Sequence, residues 1–193
     1  MPHARRISAD SILATARQVI ERAGPGGLTM RALARELGVR APSLYFYVES
    51  RDDLLAQLIR IGLNEFGAMI RQAATGPGSA RERAGALARA YIAFAEDNPQ
   101  LFTLIFGPCL EDALYPREAA DQSAAPVIDL AAGIVGRERA LFLAEALWSL
   151  VHGYTVLRLA EQFRANPEHE QGLEFALDLL IEGAQVAGLE ATR

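Results

Sequence analysis

Residues 29–54 read TMRALARELGVRAPSLYFYVESRDDL, and the spacing of their apolar and turn-forming side chains decides the fold. Met30, Leu33, Ala34 and Leu37 recur every three or four residues, which puts them on one face of a helix. Thr29 stands in front of that helix as an N-cap, because its hydroxyl can take one of the backbone N–H groups left unpaired at a helix start. Gly38 stands behind it, where a left-handed residue ends the helix and reverses the chain. Val39 and Leu44 supply apolar contacts for a second helix across the turn. Pro42 fits the first turn of that helix, where no N–H is missed. Two short helices around a glycine turn form a helix-turn-helix, whose second helix can lie in the major groove of DNA. A plain helical hairpin has the same periodicity, so the polar groups separate the two readings. Ser43, Tyr45 and Tyr47 give the second helix hydroxyls suited to phosphates and base edges. Ser50, with Asp53 three residues on, forms a capping box for a third helix, and Arg51 sits in the first turn, where a phosphate can be met.

Taken in order, Thr29, Gly38-Val39, Leu44-Tyr45 and Ser50-Arg51-Asp52-Asp53-Leu54 resemble the DNA-binding domain of the TetR (tetracycline-repressor-like) family of transcriptional regulators. Two positions depart from that pattern. Arg40 stands where the family carries a small capping residue, which adds a candidate base contact. Glu49 stands where a basic or neutral residue is usual, and is expected to face away from phosphate. The resemblance implies an all-α protein: a three-helix helix-turn-helix domain over residues 1–50, then a helical ligand-binding and dimerisation domain over 51–193. The helix 51–73 is shared between them. Expected phosphate contacts are Tyr45 and Arg51, with Thr29 and Tyr47 beside them. Arg40 and Ser43 are candidates for base edges, and Ala41 or Pro42 for a thymine methyl.

Size and charge agree with this reading. A chain of 193 residues, 51% hydrophobic and 22% charged, can bury a sizeable core and does not have the composition of a disordered protein. The net charge of −5 looks wrong for a DNA binder until it is divided. Residues 1–51 hold eight Arg against four acids, a net +4, and the remainder is −9. The basic part coincides with the reading head, and the acidic remainder orients the molecule on DNA. No apolar run approaches a bilayer-spanning length, and MPHARRISAD lacks the apolar core of a signal peptide. The lone Cys109 excludes an intramolecular disulfide and fits a reducing cytoplasm. His3, His152 and His169 have no metal-ligand spacing, so no metal or cofactor is expected.

Outward from the head, residues 1–6 form an arm with two adjacent arginines. Ser8 caps the first helix, with Ile7 and Ile12 as a hydrophobic staple and Gly24-Pro25-Gly26-Gly27 as its end. Those glycines follow no strand and lack GxGxxG spacing, so they are no phosphate cradle. The helix Arg51–Ala73 is apolar on more than one side and should be gripped by two bodies, making it a lever. Thr75-Gly76-Pro77-Gly78 ends it, and Ser79 with Glu82 starts the next helix, which stops at Asp97-Asn98. A short helix follows Pro99 and closes at Gly107-Pro108. Pro116 and Pro126 interrupt the next stretch, with a helix suggested beyond the second proline. Two long apolar helices finish the chain, roughly Arg137–Ala165 and then from Asn166-Pro167 to about Ala187.

Leu143, Leu147, Leu150, Tyr154 and Leu157 on one of these helices, and Leu173, Leu177, Leu180, Ile181 and Ala184 on the other, follow helical spacing. Pairing this hairpin with a second copy makes a four-helix bundle across a two-fold axis. Two heads related by symmetry then read a palindromic operator with half-sites about one helical turn apart. WSLVHG at Trp148–Gly153 resembles the Trp-His-Gly signature of one C-terminal variant of the family. Phe66, Met69, Tyr91, Phe94, Phe102, Phe106, Phe142, Trp148 and His152 are core by default. The family's habit of binding small effectors makes them the candidate lining of a site for an apolar or aromatic molecule. The expected function is a ligand-responsive repressor. The alternatives are a DNA-binding regulator without ligand and, remotely, an enzyme using Cys109 and His152, for which no supporting motif exists.

Overall fold

The structure is a computed structural model that describes residues 7–107, 114–164 and 168–191. Among these residues there are helices and no strand: α1 (Ala9–Gly27), α2 (Met30–Leu37), a 3-10 helix (Ala41–Phe46), α3 (Arg51–Ala74), α4 (Ala80–Asp97), α5 (Pro99–Phe106), α6 (Arg117–Val135), α7 (Ala140–Leu159) and α8 (His169–Ala191). The chain forms two compact units. One holds the residues up to Leu63 together with Asn98–Ala119, and the other holds Asn64–Asp97 and Ala120–Arg193.

In the first unit, α1 starts at a reciprocal cap: Ser8 Oγ accepts the Ser11 N–H and Ser11 Oγ accepts the Ser8 N–H. Its buried stripe is Ile12, Ala16, Val19 and Ile20. Gly24, at φ 71°, bends the helix before the turn into α2. Thr29 Oγ1 accepts the Ala32 N–H at 3.1 Å and starts α2. Gly38 ends it in the left-handed region, with the Val39 N–H reaching Ala34 O and the Gly38 N–H reaching Arg35 O. Those two bonds are a Schellman motif, which needs the positive φ that glycine takes without strain. α5 packs on α1 and approaches α3 closely at Gly62, where a Cβ would lie 2.7 Å from Ile105 Cδ1. Gly62→Val is expected to cost about 1–3 kcal/mol by overpacking this contact. Denaturant unfolding checks it, and an unchanged midpoint would show that α5 gives way freely.

In the second unit, α4 packs on α7 and α8, and α7 on α8. The core includes Phe66, Ile70, Leu87, Phe94, Leu143, Leu147, Leu177 and Ile181. Arg81 on α4 bonds Glu174 and Asp178 on α8, and Arg158 on α7 bonds Glu96 and Glu170 at 2.6 Å each. Burial works against the charge on Arg81, but its bonds to Glu174 and Asp178 outweigh it, and bonds to Glu170, Tyr154 and Glu96 likewise raise the pKa of Arg158.

Three expectations change here. The stretch after Pro116 is one helix, α6, which runs through Pro126 instead of starting beyond it. Its proline sits in mid-helix at the cost of one ladder bond. α7 ends at Leu159, not near Ala165, because Glu161 takes a left-handed φ of 54°. The Glu161 and Gln162 N–H groups then close on Arg158 O and Leu157 O, a Schellman end without glycine. Asn166-Pro167 lies outside the described residues, and α8 is first described from His169. Finally, α7 is by length and composition apolar enough to cross a membrane, contrary to the expectation that no segment is. Its ionisable groups, Glu145, His152 and Arg158, are too dispersed to break that average.

Candidate nucleic-acid interface and aromatic cluster

The segment after Gly38 is a 3-10 helix, where a second α-helix is expected. Pro42 removes one N–H, and the short run before Val48 leaves little room for an i to i−4 ladder. Ser43 N–H donates to Arg40 O, and Tyr47 N–H to Leu44 O, each at 2.9 Å. Leu44 and Val48 are buried and anchor the element. Its other side chains stand outward: Tyr45 is 54%, Phe46 88% and Tyr47 43% exposed. Arg40 and Pro42 are exposed, and Ala41 and Ser43 half-buried. Phe46 is absent from the expected contacts. The signal was present, since a residue midway between two buried anchors four apart must point away from them.

The remaining head residues divide by task. Thr29 is exposed but its hydroxyl is used as a cap. Tyr47 Oη donates to Ile7 O at 3.0 Å, tying the end of the 3-10 helix to the entry of α1. Arg51 is placed differently from the phosphate contact expected of it. Its Nε donates to Leu28 O at 2.7 Å and one terminal nitrogen to Pro25 O at 2.8 Å, while the other meets Asp52 at 3.2 Å. The guanidinium thus fastens the turn between α1 and α2. Ser50 Oγ accepts the Asp53 N–H, whereas the Asp53 carboxylate reaches back to the Glu49 N–H and not to Ser50. Arg31, Arg35 and Arg40 are exposed and carry the positive field of the head.

The nine expected pocket residues fall in both units and differ in exposure. Phe66, Tyr91 and Phe94 are buried in the second unit, Phe66 meeting Tyr91 at 5.2 Å and Phe94 at 5.3 Å in edge-on geometry. Tyr91 Oη lies 2.7 Å from His152 Nδ1, and Trp148 stands 5.9 Å from the same imidazole, ring to ring. Met69 is half-buried on α3. Phe102 and Phe106 pair with each other at 4.9 Å in the first unit. Phe142 is 71% exposed and Trp148 52%, so neither is enclosed as a pocket wall. Helical spacing marks α7 as apolar all round, and cannot say which side faces inward. A groove of about 560 Å³ lies elsewhere in the second unit, lined by Arg89, Ile92, Glu96, Tyr154, Arg158 and Phe175 among others, and by none of the nine.

Burial holds the His152 imidazole below its ordinary pKa. Its Nδ1 and the Tyr91 hydroxyl share a hydrogen bond. The unfolded chain then binds a proton more readily than the folded one, so stability falls as the pH drops through the usual histidine value of about 6.5. His152→Gln is expected to flatten the fall in melting temperature between about pH 7.5 and 5.5. A profile that the substitution leaves unchanged would place the acid sensitivity in other groups.

Comparison with known proteins joins these parts. Residues 12–58 match the model described as bacterial regulatory proteins, tetR family, and residues 85–180 match the tetracyclin repressor-like, C-terminal domain. An uncharacterized HTH-type transcriptional regulator of Mycobacterium tuberculosis is 34% identical over 80% of this chain and 71% of its own length. The solved structure of a protein of unknown function from Rhodococcus sp. RHA1 superposes with a TM-score of 0.78 at 26% identity, over 95% of this chain and 98% of the other. A TetR variant from Acinetobacter baumannii AYE, solved in complex with minocycline, shares the fold at 21% identity and a TM-score of 0.63, over 92% and 96% of the two chains. With a capped glycine-turn head, a helical body and family matches over both, this chain belongs to the TetR family of transcriptional regulators.

Proposed function

We propose that this DNA-binding regulator is a homodimeric repressor, released from a palindromic operator when a small apolar or aromatic molecule enters its helical body. The observation that carries the ligand reading is the Tyr91–His152 pair, a polar contact of 2.7 Å beside the buried rings Phe66 and Phe94. A largely aromatic site with one or two polar groups that fix orientation is the usual form of a small-molecule site. The minocycline complex of the Acinetobacter neighbour supports the same use of the fold. The reading head is residues 1–50, the body 51–193, and α3 belongs to both. Such a regulator works in the cytoplasm, beside the DNA it controls.

The dimer reading rests on the outer faces of α7 and α8. Trp148, Val156 and Leu159 on α7, and Phe175, Leu179 and Val186 on α8, are all exposed, at helical spacings. Gly172 before the α8 stripe and Gly183 within it have open space where a Cβ would be, which lets another helix come close. A contiguous apolar face of this kind on a single chain marks an interaction surface, and a second copy offers the matching one.

Tyr45 is assigned to phosphate and sugar, Arg40 and Ser43 to base edges, and Ala41, Pro42 and Phe46 to apolar contact with thymine methyls. Arg40→Ala is expected to relax preference at one base position, at a cost of about 1–3 kcal/mol there, in oligonucleotide selection with the purified protein. Uniform weakening of all sequences would instead make Arg40 a phosphate contact. For the ligand, Trp148 fluorescence is followed during titration with aromatic compounds, and each binder is then tested against the selected operator. By linkage, a ligand that weakens operator binding must itself bind less tightly to the DNA complex. Binders that leave operator affinity untouched would leave a DNA-binding regulator with no ligand switch.

A further inference from the structure

The groove of about 560 Å³ in the second unit has the size of a small-molecule site, and its walls come from α4, α7 and α8. On α4 the lining residues are Arg89, Ile92, Ala93 and Glu96, at three- and four-residue spacing, so one face of that helix is turned to it. Ile92 and, on α8, Leu173 are buried and give the groove an apolar part. α7 adds the buried Tyr154 ring. Phe175 also lines it, but that ring stands in the α8 stripe assigned above to the dimer, and nothing below depends on it.

The polar groups around this apolar part are held in place by one another. Arg158 donates to Glu96 and to Glu170 at 2.6 Å each, and so joins the end of α4 to the start of α8. Tyr154 Oη lies 2.6 Å from His169 Nδ1, and the Tyr154 ring stacks on Phe163 at 5.2 Å. Side chains already fixed lose little further freedom when a ligand arrives.

The charges, in contrast, do not balance. Four carboxylates, Glu96, Glu170, Glu174 and Asp178, line the groove against two guanidiniums, Arg89 and Arg158. Glu174 and Asp178 are answered by Arg81 and Arg89, which makes that end neutral. At the other end Arg158 alone faces Glu96 and Glu170, and one negative charge is left over. An anion is repelled there, and a neutral molecule leaves the charge unmet. A cation carried on an apolar body answers both the charge and the walls.

We propose that this groove binds an apolar or aromatic monocation, an organic ammonium or amidinium, with its charge toward Glu96 and Glu170 and its body on Ile92, Leu173 and Tyr154. The site shares no residue with the Tyr91–His152 cluster, so it stands whether or not an effector enters that cluster.

Three molecules with one ring system and different charge serve as probes: 2-naphthylmethylammonium, 2-naphthylmethanol and 2-naphthylacetate. Each is titrated by calorimetry into the full chain, without DNA. The cation is expected to bind at a single site per chain, about tenfold tighter than the alcohol, and the anion to give no binding. Glu96→Gln and Glu170→Gln each remove the uncompensated charge from an exposed position, and should bring the preference for the cation down to about twofold or less. Glu138→Gln, at an exposed acid that does not line the groove, should leave it unchanged. Ala93→Phe fills the groove from an exposed position of α4 and should abolish binding of cation and alcohol alike, with the melting temperature as in the wild type. Should that variant melt early, the two glutamine variants decide. Equal affinities for the three probes overturn the proposal, as does a preference that survives both glutamine variants. Binding that survives Ala93→Phe places the molecule elsewhere and overturns it too. So does a cation that gives no heat of binding at about millimolar concentration, where weak ligands of this size register.

Discussion

Replacing Arg51 with alanine is expected to loosen the reading head without changing how it counts phosphates. The guanidinium donates to Leu28 O and Pro25 O, the carbonyls of the turn that aims α2. Hydrogen bonds from a charged donor contribute about 1.5–3 kcal/mol, and the side chain is only partly exposed, so a loss of about 2 kcal/mol is expected. For a chain of this size that lowers the melting temperature by roughly 4–8 °C. The slope of log affinity against log salt for an operator duplex should stay as in the wild type. A slope smaller by about 0.9, with an unchanged melting temperature, would restore Arg51 to the phosphate contact that its place at a helix start suggests. Arg51→Lys separates the two cases further, because an ammonium can meet a phosphate but cannot span two carbonyls as a planar fork does.

Leu179→Asp is expected to divide the proposed dimer. Leu179 lies at the middle of the exposed apolar stripe of α8, between Phe175 and Val186. In a two-fold interface each substitution occurs twice, and each carboxylate would be desolvated against apolar neighbours at a cost of several kcal/mol. The dissociation constant should rise by about three orders of magnitude or more, read by sedimentation. Operator affinity should fall with it, since a lone head contacts one half-site. Leu179→Ala, which removes contact area and adds no charge, should weaken pairing by far less. A Leu179→Asp chain that sediments as the wild type does would remove α8 from the interface. The same stripe explains why α7 has the composition of a membrane helix: one of its sides is core and the other is, in this proposal, a partner's core.

What was legible in the sequence was whatever depends on near neighbours along the chain. Thr29 as a cap, Gly38 as a left-handed stop, and the buried faces of α1 and α2 follow from spacing and backbone sterics within a few residues. The helix through Pro126 was not legible, because the loss of one ladder bond is offset by packing that spacing does not display. Phe46 could have been found from the two anchors that flank it, since burial at four-residue spacing forces the residue between them outward.

The sequence by itself determined the all-helical class, the head with its positive charge, and the family that its motifs point to. These rest on periodicity and on short-range steric rules, which any window of the chain carries. Only the tertiary structure decided how individual polar groups are used. It turned Arg51 from solvent to the carbonyls of a turn twenty-odd residues away, and gave the start of α5 a cap from α1. It buried a ring cluster around Tyr91 and His152, paired Phe102 with Phe106, and left Phe142 and Trp148 exposed. The reason is geometric. A hydrogen bond or a ring contact between distant residues depends on where whole helices lie, and no local pattern encodes that placement.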